Sequence, residues 1–312
     1  MITPAERAYI LAHAYVPEHL PHYVTAISQT EPFLVDDFVA HVRGAQLIFV
    51  GYPLSENFDA TLMLDALERA RARFKSSVVS ILAPALPDVL RDGTRLPADE
   101  YYRLDLAHLI APPVIASEAK QSPTDLGIAS SRDALLAMTQ TRLPQKTRNM
   151  LTRARRDLTT REGTFGKEHR RLVEEFLRAH RLDDATRTIF ERVPEYARCA
   201  SACVIEARDA RGNLVAFDLA DFSAAQYAFY LFNFRAAQHR VPGASDLLLA
   251  HIIERARAEG KRYVNLGLGI DEGVAFFKRK WGATPFLKHC AYIQQPSRAE
   301  AWLGLLDQLR HD

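Results

Sequence analysis

From Tyr227 to Ala283 the spacing of apolar residues changes period in step with a set of glycine turns. The run YAFYLFNFR is aromatic and apolar in the manner of a strand, while LLLAHIIERARA carries apolar residues at helical spacing. A second strand follows in YVNLGL, and VAFFKRKWGA has the length of a short helix. Gly243 breaks the chain before the long helix, and Gly267 and Gly269 break it before the short one. The pattern predicts a strand, helix, strand unit with backbone-rich turns at one end.

The N-terminal part of the chain repeats the theme. PFLVDDFVAHVRGAQLIFVGYPL sets β-branched and aromatic residues on both sides of Arg43-Gly44, a hairpin signal. Asp59 to Phe74 has helical periodicity with arginines opposite the apolar face, and SSVVSILAPAL predicts a buried strand ended by prolines. Leu67 to Ala72 and Ile253 to Ala258 share the letters ERARA, with a helix and a strand in step around each. The order of elements, more than the letters, predicts an internal duplication. The copies differ at the helix start, where GYPLSENFD offers Gly51 early but no glycine against the first helix. The first half is therefore expected to be a structural partner rather than a second binding site.

Between the halves, Pro112-Pro113 opens a polar, small-residue stretch expected to be a linker or an inserted loop. Its ends, VIASEAKQS and LLAMT, resemble translated ends of palindromic repeat elements found in some bacterial genomes, which makes Val114 to Thr139 a candidate late insertion. Lys146 to Arg161 follows as the most basic stretch, with Lys146, Arg148, Arg153, Arg155 and Arg156 close together. Read as a helix, it sets Arg148, Arg155 and Arg156 near one face and Met150, Leu151 and Ala154 on an apolar stripe. A solvated face and an anion site both fit this pattern. KEHRRLVEEFLRAHRL predicts an amphipathic helix, and DDATRTIFERVPEYARC a shorter one stopped near Pro194. SACVIEARDARGNLVAFDLADF predicts a hairpin turning at Arg211-Gly212-Asn213, and Gln226 to Phe234 a third antiparallel strand. At the end, PFLKHCAYI predicts a strand and SRAEAWLGLLDQLR a closing helix carrying Trp302.

Composition narrows the class. The 312 residues, 48% hydrophobic and 25% charged, are enough for two packed cores. Lysine and arginine exceed acids by only two, so any nucleic-acid or membrane interaction must come from local patches. Cys199, Cys203 and Cys290 are too few for a disulfide framework, and Cys199-x-x-x-Cys203 lacks the second pair or histidine cluster of a zinc site. Free thiols and no metal are expected. No window reaches the ~18 apolar residues of a membrane span, so a soluble, cytoplasmic protein is expected.

The most informative chemistry lies in Gln238 to Ser245, and within it in Arg240-x-x-Gly243-x-Ser245. Small residues at a helix start leave its unpaired amides open to a phosphate or another anion. An ordinary turn capped by Ser245 or Asp246 fits the same letters. Gly267-x-Gly269-x-x-x-Gly273 superficially suggests a dinucleotide site, but antiparallel hairpins precede it and no βα repeats follow, which argues against a Rossmann enzyme.

Two hairpin strands leading into a strand, a glycine turn, a helix, a strand, a short helix and a last strand resemble the GNAT acyltransferase fold. RVPGAS resembles that superfamily's pyrophosphate loop, with Arg240 and Gly243 in place and Ser245 where glycine or alanine is usual. KTRNMLTRARRD, FNFRAAQHRVPGASDLLL and GKRYVNLGLGIDEGVAFFKRKWGA further resemble duplicated GNAT proteins, among them Fem-type aminoacyltransferases and the soluble catalytic domain of phosphatidylglycerol lysyltransferases. The resemblance implies an α+β fold of mixed sheets flanked by helices, in tandem halves: residues 1–112, an insert over 113–140, and a donor-binding half over 141–312. It implies transfer of an acyl group from acyl-CoA, acetyl-CoA above all, or of an aminoacyl group from tRNA, to an amine or hydroxyl of a small-molecule, lipid or peptide acceptor. A non-catalytic binding protein on the same fold is the third reading.

In such a transfer the carrier is expected at Arg240, Gly243, Ala244 and Ser245, with Phe234 and Arg235 nearby, and the carbonyl where the strand ending at Phe234 splays from Tyr263 to Leu266. Asn265 either orients a substrate or caps the next turn. Asp271 and Glu272 are a base or helix caps. Tyr230 and Tyr263 serve as acid for the leaving group or as core aromatics. Asp218 and Asp221 are placed on one sheet face, expected to be solvated, with a cationic-acceptor site as the sharper alternative.

Overall fold

A computed structural model describes residues 1–109 and 143–295, so the expected insertion from Val114 to Thr139 and the closing helix around Trp302 lie outside the described residues. In chain order the first elements are α1 (Pro4–His13), α2 (Pro21–Ser28), β1 (Glu31–Val35), β2 (Phe38–Arg43), β3 (Gln46–Val50), α3 (Ala60–Phe74), β4 (Val78–Ala83), β5 (Thr94–Arg95) and β6 (Asp99–Asp105). Then come α4 (Gln145–Asp157), β7 (Leu158–Gly163), α5 (Lys167–Ala179), α6 (Asp184–Glu191), α7 (Val193–Tyr196), β8 (Ala202–Asp209) and β9 (Leu214–Asp221). The last are β10 (Tyr227–Arg235), α8 (Ala244–Ala258), β11 (Tyr263–Leu268), α9 (Glu272–Lys280) and β12 (Thr284–Gln294).

The chain divides into two compact units, Met1–Tyr101 with the segment from Pro285 onward, and Tyr102–Thr284. The final strand goes with the first unit because β12 pairs antiparallel with β4, from Cys290↔Ala83 to Gln294↔Val79. The expected division grouped that strand with the second half.

In the first unit β1, β2 and β3 form an antiparallel meander, and α3 carries the chain over to β4, which lies parallel to β3. The expected hairpin at Arg43-Gly44 is present, with Gly44 at φ +55°. Met63, Ala66, Leu67 and Ala70 form the buried stripe of α3 against Phe38, Leu47, Phe49, Val79 and Ile81. Asp59 closes the helix start, its Oδ1 accepting from the amides of Thr61 (2.7 Å) and Leu62 (3.1 Å).

In the second unit β7, β8, β9 and β10 are antiparallel neighbours, and α8 connects β10 to the parallel β11. The halves thus repeat one plan: hairpin, helix, parallel strand. The two helices that share ERARA hold equivalent places. Leu247, Leu248, Leu249, Ile252 and Ile253 are all buried, so α8 is the core of its unit. Their burial is worth ~10 kcal/mol gross at ~2 kcal/mol per side chain.

The basic stretch is shorter as a helix than its composition suggests. It stops at Asp157, and Leu158 to Gly163 forms β7, whose register with β8 runs from Leu158↔Asp209 to Gly163↔Val204. A Cβ at Gly163 would lie 2.4 Å from Glu206 Oε1, so a larger residue there would have to displace that carboxylate. The buried Glu206 carboxylate holds Arg161 (2.9 Å) and Arg208 (2.6 Å) and faces His169 (3.1 Å).

Candidate functional site

β10 and β11 pair only at Tyr227↔Tyr263, Ala228↔Val264 and Phe229↔Asn265. Past that point β10 bulges between Tyr230 and Phe232, staying in register with β9, while β11 runs on to Leu268. A bulge bends its strand and increases local twist, so the facing edges part at Tyr230. Gly267, at φ +76°, has the space of its missing Cβ 3.8 Å from both the Tyr230 carbonyl oxygen and Lys278 Nζ. Lys278 is buried, donates to the Leu268 carbonyl, and lies 5.7 Å from the Tyr102 ring centroid. A fixed ammonium therefore sits beside the gap between the strands.

The start of α8 follows β10 in the chain and touches it through Asn233. Gly243 is its N-cap at φ +83°, and among the described residues no side chain caps the helix. Neither Ser245 nor Asp246 is the N-cap, which removes the alternative of a turn capped by one of them. A Cβ at position 243 would lie 3.0 Å from Ala154 Cβ, 3.0 Å from Met150 Cγ and 3.2 Å from the Met150 carbonyl oxygen, so α4 packs directly on the turn. The amides of Ser245 and Asp246 precede the first intrahelical partner, and the dipole of α8 favours negative charge at them. Asp246, buried in this first turn, is matched by Lys280 Nζ at 2.6 Å and accepts from Trp281 Nε1 at 2.9 Å. The equivalent start of α3 is occupied by Asp59, so the halves differ in chemistry at matched positions.

Ser245 Oγ donates to Asn233 Oδ1 (3.1 Å), and Asn233 Nδ2 donates to Asp218 Oδ1 (2.6 Å). Asp218 and Asp221 are both fully buried, which overturns the expected solvated face. Their separation of three positions puts them on opposite faces of β9. Asp221 accepts from Tyr196 Oη at 2.7 Å and from the Ser223 amide at 2.8 Å. Burial pushes the Asp218 carboxyl well above the usual carboxylate range, against the Asn233 hydrogen bond.

The other sequence candidates separate by environment. Asn265 is buried and accepts from the Gly267 amide at 2.8 Å, shaping the turn after β11. Asp271 is the exposed N-cap of α9, accepting from the Val274 amide at 2.8 Å. Tyr230 is half-buried, and burial of its hydroxyl, reinforced by the nearby Asp218 carboxyl, pushes it well above the ordinary phenol range. Phe234 is buried in an aromatic cluster, its ring 5.0 Å from Phe217 and 5.5 Å from Phe176. Arg235 and Arg240 are exposed, and His239 pairs with Asp209 at 3.0 Å. Ala244 is buried against the core. Ser245 and Asn233 meet at the α8 start, which Gly243 caps, while Tyr230, Asn265, Gly267 and Lys278 surround the point where the β10–β11 pairing ends. From the sequence, Lys278 to Lys280 read as part of a basic surface that could bind tRNA, whereas the structure buries Lys278. The signal available was its apolar spacing with Val274 and Ala275.

Lys146, Arg153 and Arg156 of α4 are exposed, whereas Arg155 is half-buried and pairs with Glu254 at 3.5 Å. Among the described residues no cluster of three or more His, Cys, Asp or Glu side chains could hold a metal ion. No helix among them is long and apolar enough to cross a membrane.

No protein-family model matches the chain. None of the curated proteins matches it either. Solved structures do. L-PGS from Bacillus licheniformis superposes with a TM-score of 0.54 at 12% identity, covering 95% of this chain and 93% of that one. The C-terminal domain of a putative lysylphosphatidylglycerol synthetase from Agrobacterium fabrum gives 0.54 at 16% identity, covering 98% and 95%. FemX gives 0.54 at 11% identity, covering 93% and 96%. The chain has the double GNAT-like fold expected from its order of elements.

Proposed function

We propose, from the premise of that double GNAT-like fold, that the chain transfers an acyl group from acyl-CoA, acetyl-CoA first among them, to an amine or hydroxyl acceptor. The observation that carries this reading is the parting of β10 and β11 beyond Phe229 and Asn265, beside a helix start left open by Gly243. The carrier's pyrophosphate would lie on the Ser245 and Asp246 amides, with Arg240 adding charge-assisted hydrogen bonds. The acyl carbonyl would enter the gap, where a β10 amide past the bulge and the Lys278 ammonium stabilise the oxygen as it gains charge. The acceptor atom bonds to the carbonyl carbon as the carbon–sulfur bond breaks. The exposed Asp271 carboxylate is the group proposed to take the acceptor's proton, and the protonated Tyr230 hydroxyl the group that gives one to the departing sulfur. Asn265 holds the turn that shapes the gap. Calorimetric titration with acetyl-CoA tests the reading: binding heat is expected, and a folded protein giving none at millimolar donor would sink it.

A second reading, transfer from aminoacyl-tRNA, is favoured by α4, whose exposed Lys146, Arg153 and Arg156 flank the same turn through Met150 and Ala154. Arg103, Arg279 and Lys280, with Asp105 among them, line a cleft of about 650 Å³. The names borne by FemX and the lysylphosphatidylglycerol synthetase domain point the same way. This reading expects tRNA binding that weakens steeply with salt and is lost when Arg153, Arg155 and Arg156 are neutralised. Binding indifferent to salt and to those substitutions would exclude it.

A further inference from the structure

We propose that Asp218 is a positioning residue of the donor site: through Asn233 it holds the Ser245 hydroxyl toward the sheet and so leaves the first-turn amides of α8 open to an anion. The inference rests on the donor reading above and assigns that site a buried support.

The chain of contacts is short and directional. Asp218 and Asn233 face each other across the β9–β10 ladder, and the Asn233 amide nitrogen donates to Asp218 Oδ1 at 2.6 Å. That fixes which way the Asn233 amide points, leaving its oxygen to accept from Ser245 Oγ at 3.1 Å. Asp218 is fully buried, and its Oδ2 has no hydrogen-bond partner among the described residues. A carboxyl kept in this state is costly for the fold, and such a cost persists where a group serves something beyond packing. Burial pushes the carboxyl toward its neutral form, in which it supplies an acceptor for Asn233 without placing negative charge beneath the site for an anion.

Ser245 explains why the support exists. An untethered serine hydroxyl in a first helical turn competes for nearby backbone groups, and here those groups are the amides that the carrier needs. Ser245 is thus accommodated by turning its hydroxyl inward, onto Asn233.

The test is calorimetric titration of acetyl-CoA into the full chain and its variants. Asp218→Leu is expected to weaken binding about tenfold, the worth of one buried hydrogen bond, while Asp218→Asn, which keeps an acceptor for Asn233, stays within about twofold. The decisive arm is a double-mutant cycle: in a Ser245→Ala background, the effect of Asp218→Leu should shrink to under about twofold. A general loss of packing would not be relieved by removing that hydroxyl. Should Asp218→Leu fail to fold, Asn233→Ala cuts the same link at a half-buried position and should show the same dependence on Ser245. Equal donor affinity in Asp218→Leu and the parent, or a tenfold loss that survives in the Ser245→Ala background, overturns the inference while leaving the donor reading in place. No binding to the unaltered protein overturns both.

Discussion

Gly243→Ala tests whether the α8 turn has the geometry on which the donor site depends. Gly243 sits at φ +83°, where a residue with a Cβ is strained, at a cost of ~1–2 kcal/mol. The new methyl would also meet Ala154 Cβ at 3.0 Å, Met150 Cγ at 3.0 Å and the Met150 carbonyl oxygen at 3.2 Å. The Met150 side chain can swing aside, but the Ala154 methyl and the carbonyl cannot move without shifting α4, which adds ~1 kcal/mol. Reduced freedom of the unfolded chain returns ~0.4–1 kcal/mol. The net loss is ~2 kcal/mol, or a fall of ~4–8 °C in the melting temperature of the second unit. Scanning calorimetry of the parent and variant measures it directly. Pairing the change with Ala154→Gly separates the terms: the steric part should be relieved and the backbone part should remain, so about half the loss should survive. A Gly243→Ala protein as stable as the parent would refute the positive φ, the contact with α4, and the open helix start built on them.

Other consequences follow from the same geometry. Lys278→Met should lower turnover by about two orders of magnitude with donor affinity little changed, the pattern of a group acting on charge that forms in the transition state; equal turnover would remove Lys278 from the site. Asp59→Ala should cost ~1 kcal/mol in urea unfolding of the first unit, the value of a helix cap serving two amides, and unchanged stability would show that the cap is inert. His19 and His41 are fully buried, and burial brings each down to about 4 from the ordinary imidazole value. Because the unfolded state binds more protons between pH 6.5 and 4, stability from each is complete above pH 6.5 and is lost as pH falls through 4, by up to ~3 kcal/mol each. Urea midpoints measured across that window should fall with acid, and a flat profile would contradict the burial of both rings.

The parts of the fold set by local periodicity were legible from the letters. The α8 stripe, the hairpin at Gly212 and the strand, helix, strand order of both halves each depend on neighbours a few residues apart. β7 escaped notice because LTTREG is a polar strand continuing directly from a helix, with mostly exposed positions and no alternating apolar signal. Asp218 and Asp221 were placed on a wet face because charge alone cannot reveal a buried partner: their partners Asn233 and Tyr196 come from elements distant in sequence. Propensity leaves a polar cap at Ser245 or Asp246 and an open start at Gly243 as alternatives, and packing of α4 at 3.0 Å from the position of a Gly243 Cβ selects the residue without a side chain. Tyr230, Asn265 and Asp271 could be named as polar residues near a turn. Which of them faces the gap, caps a helix or stays protonated depends on tertiary burial.

β7 stands at the end of its sheet's strand order, with no further strand beyond it among the described residues. Such a margin presents a row of ladder groups that invites another chain to dock. Here the row is brief and polar, and Arg161 and Glu162 are anchored sideways to Glu206 and Arg255 rather than left to pair with an incoming strand. The same Glu206 network that fills the space above Gly163 therefore ties down the side chains of this margin, which works against its pairing with an incoming strand.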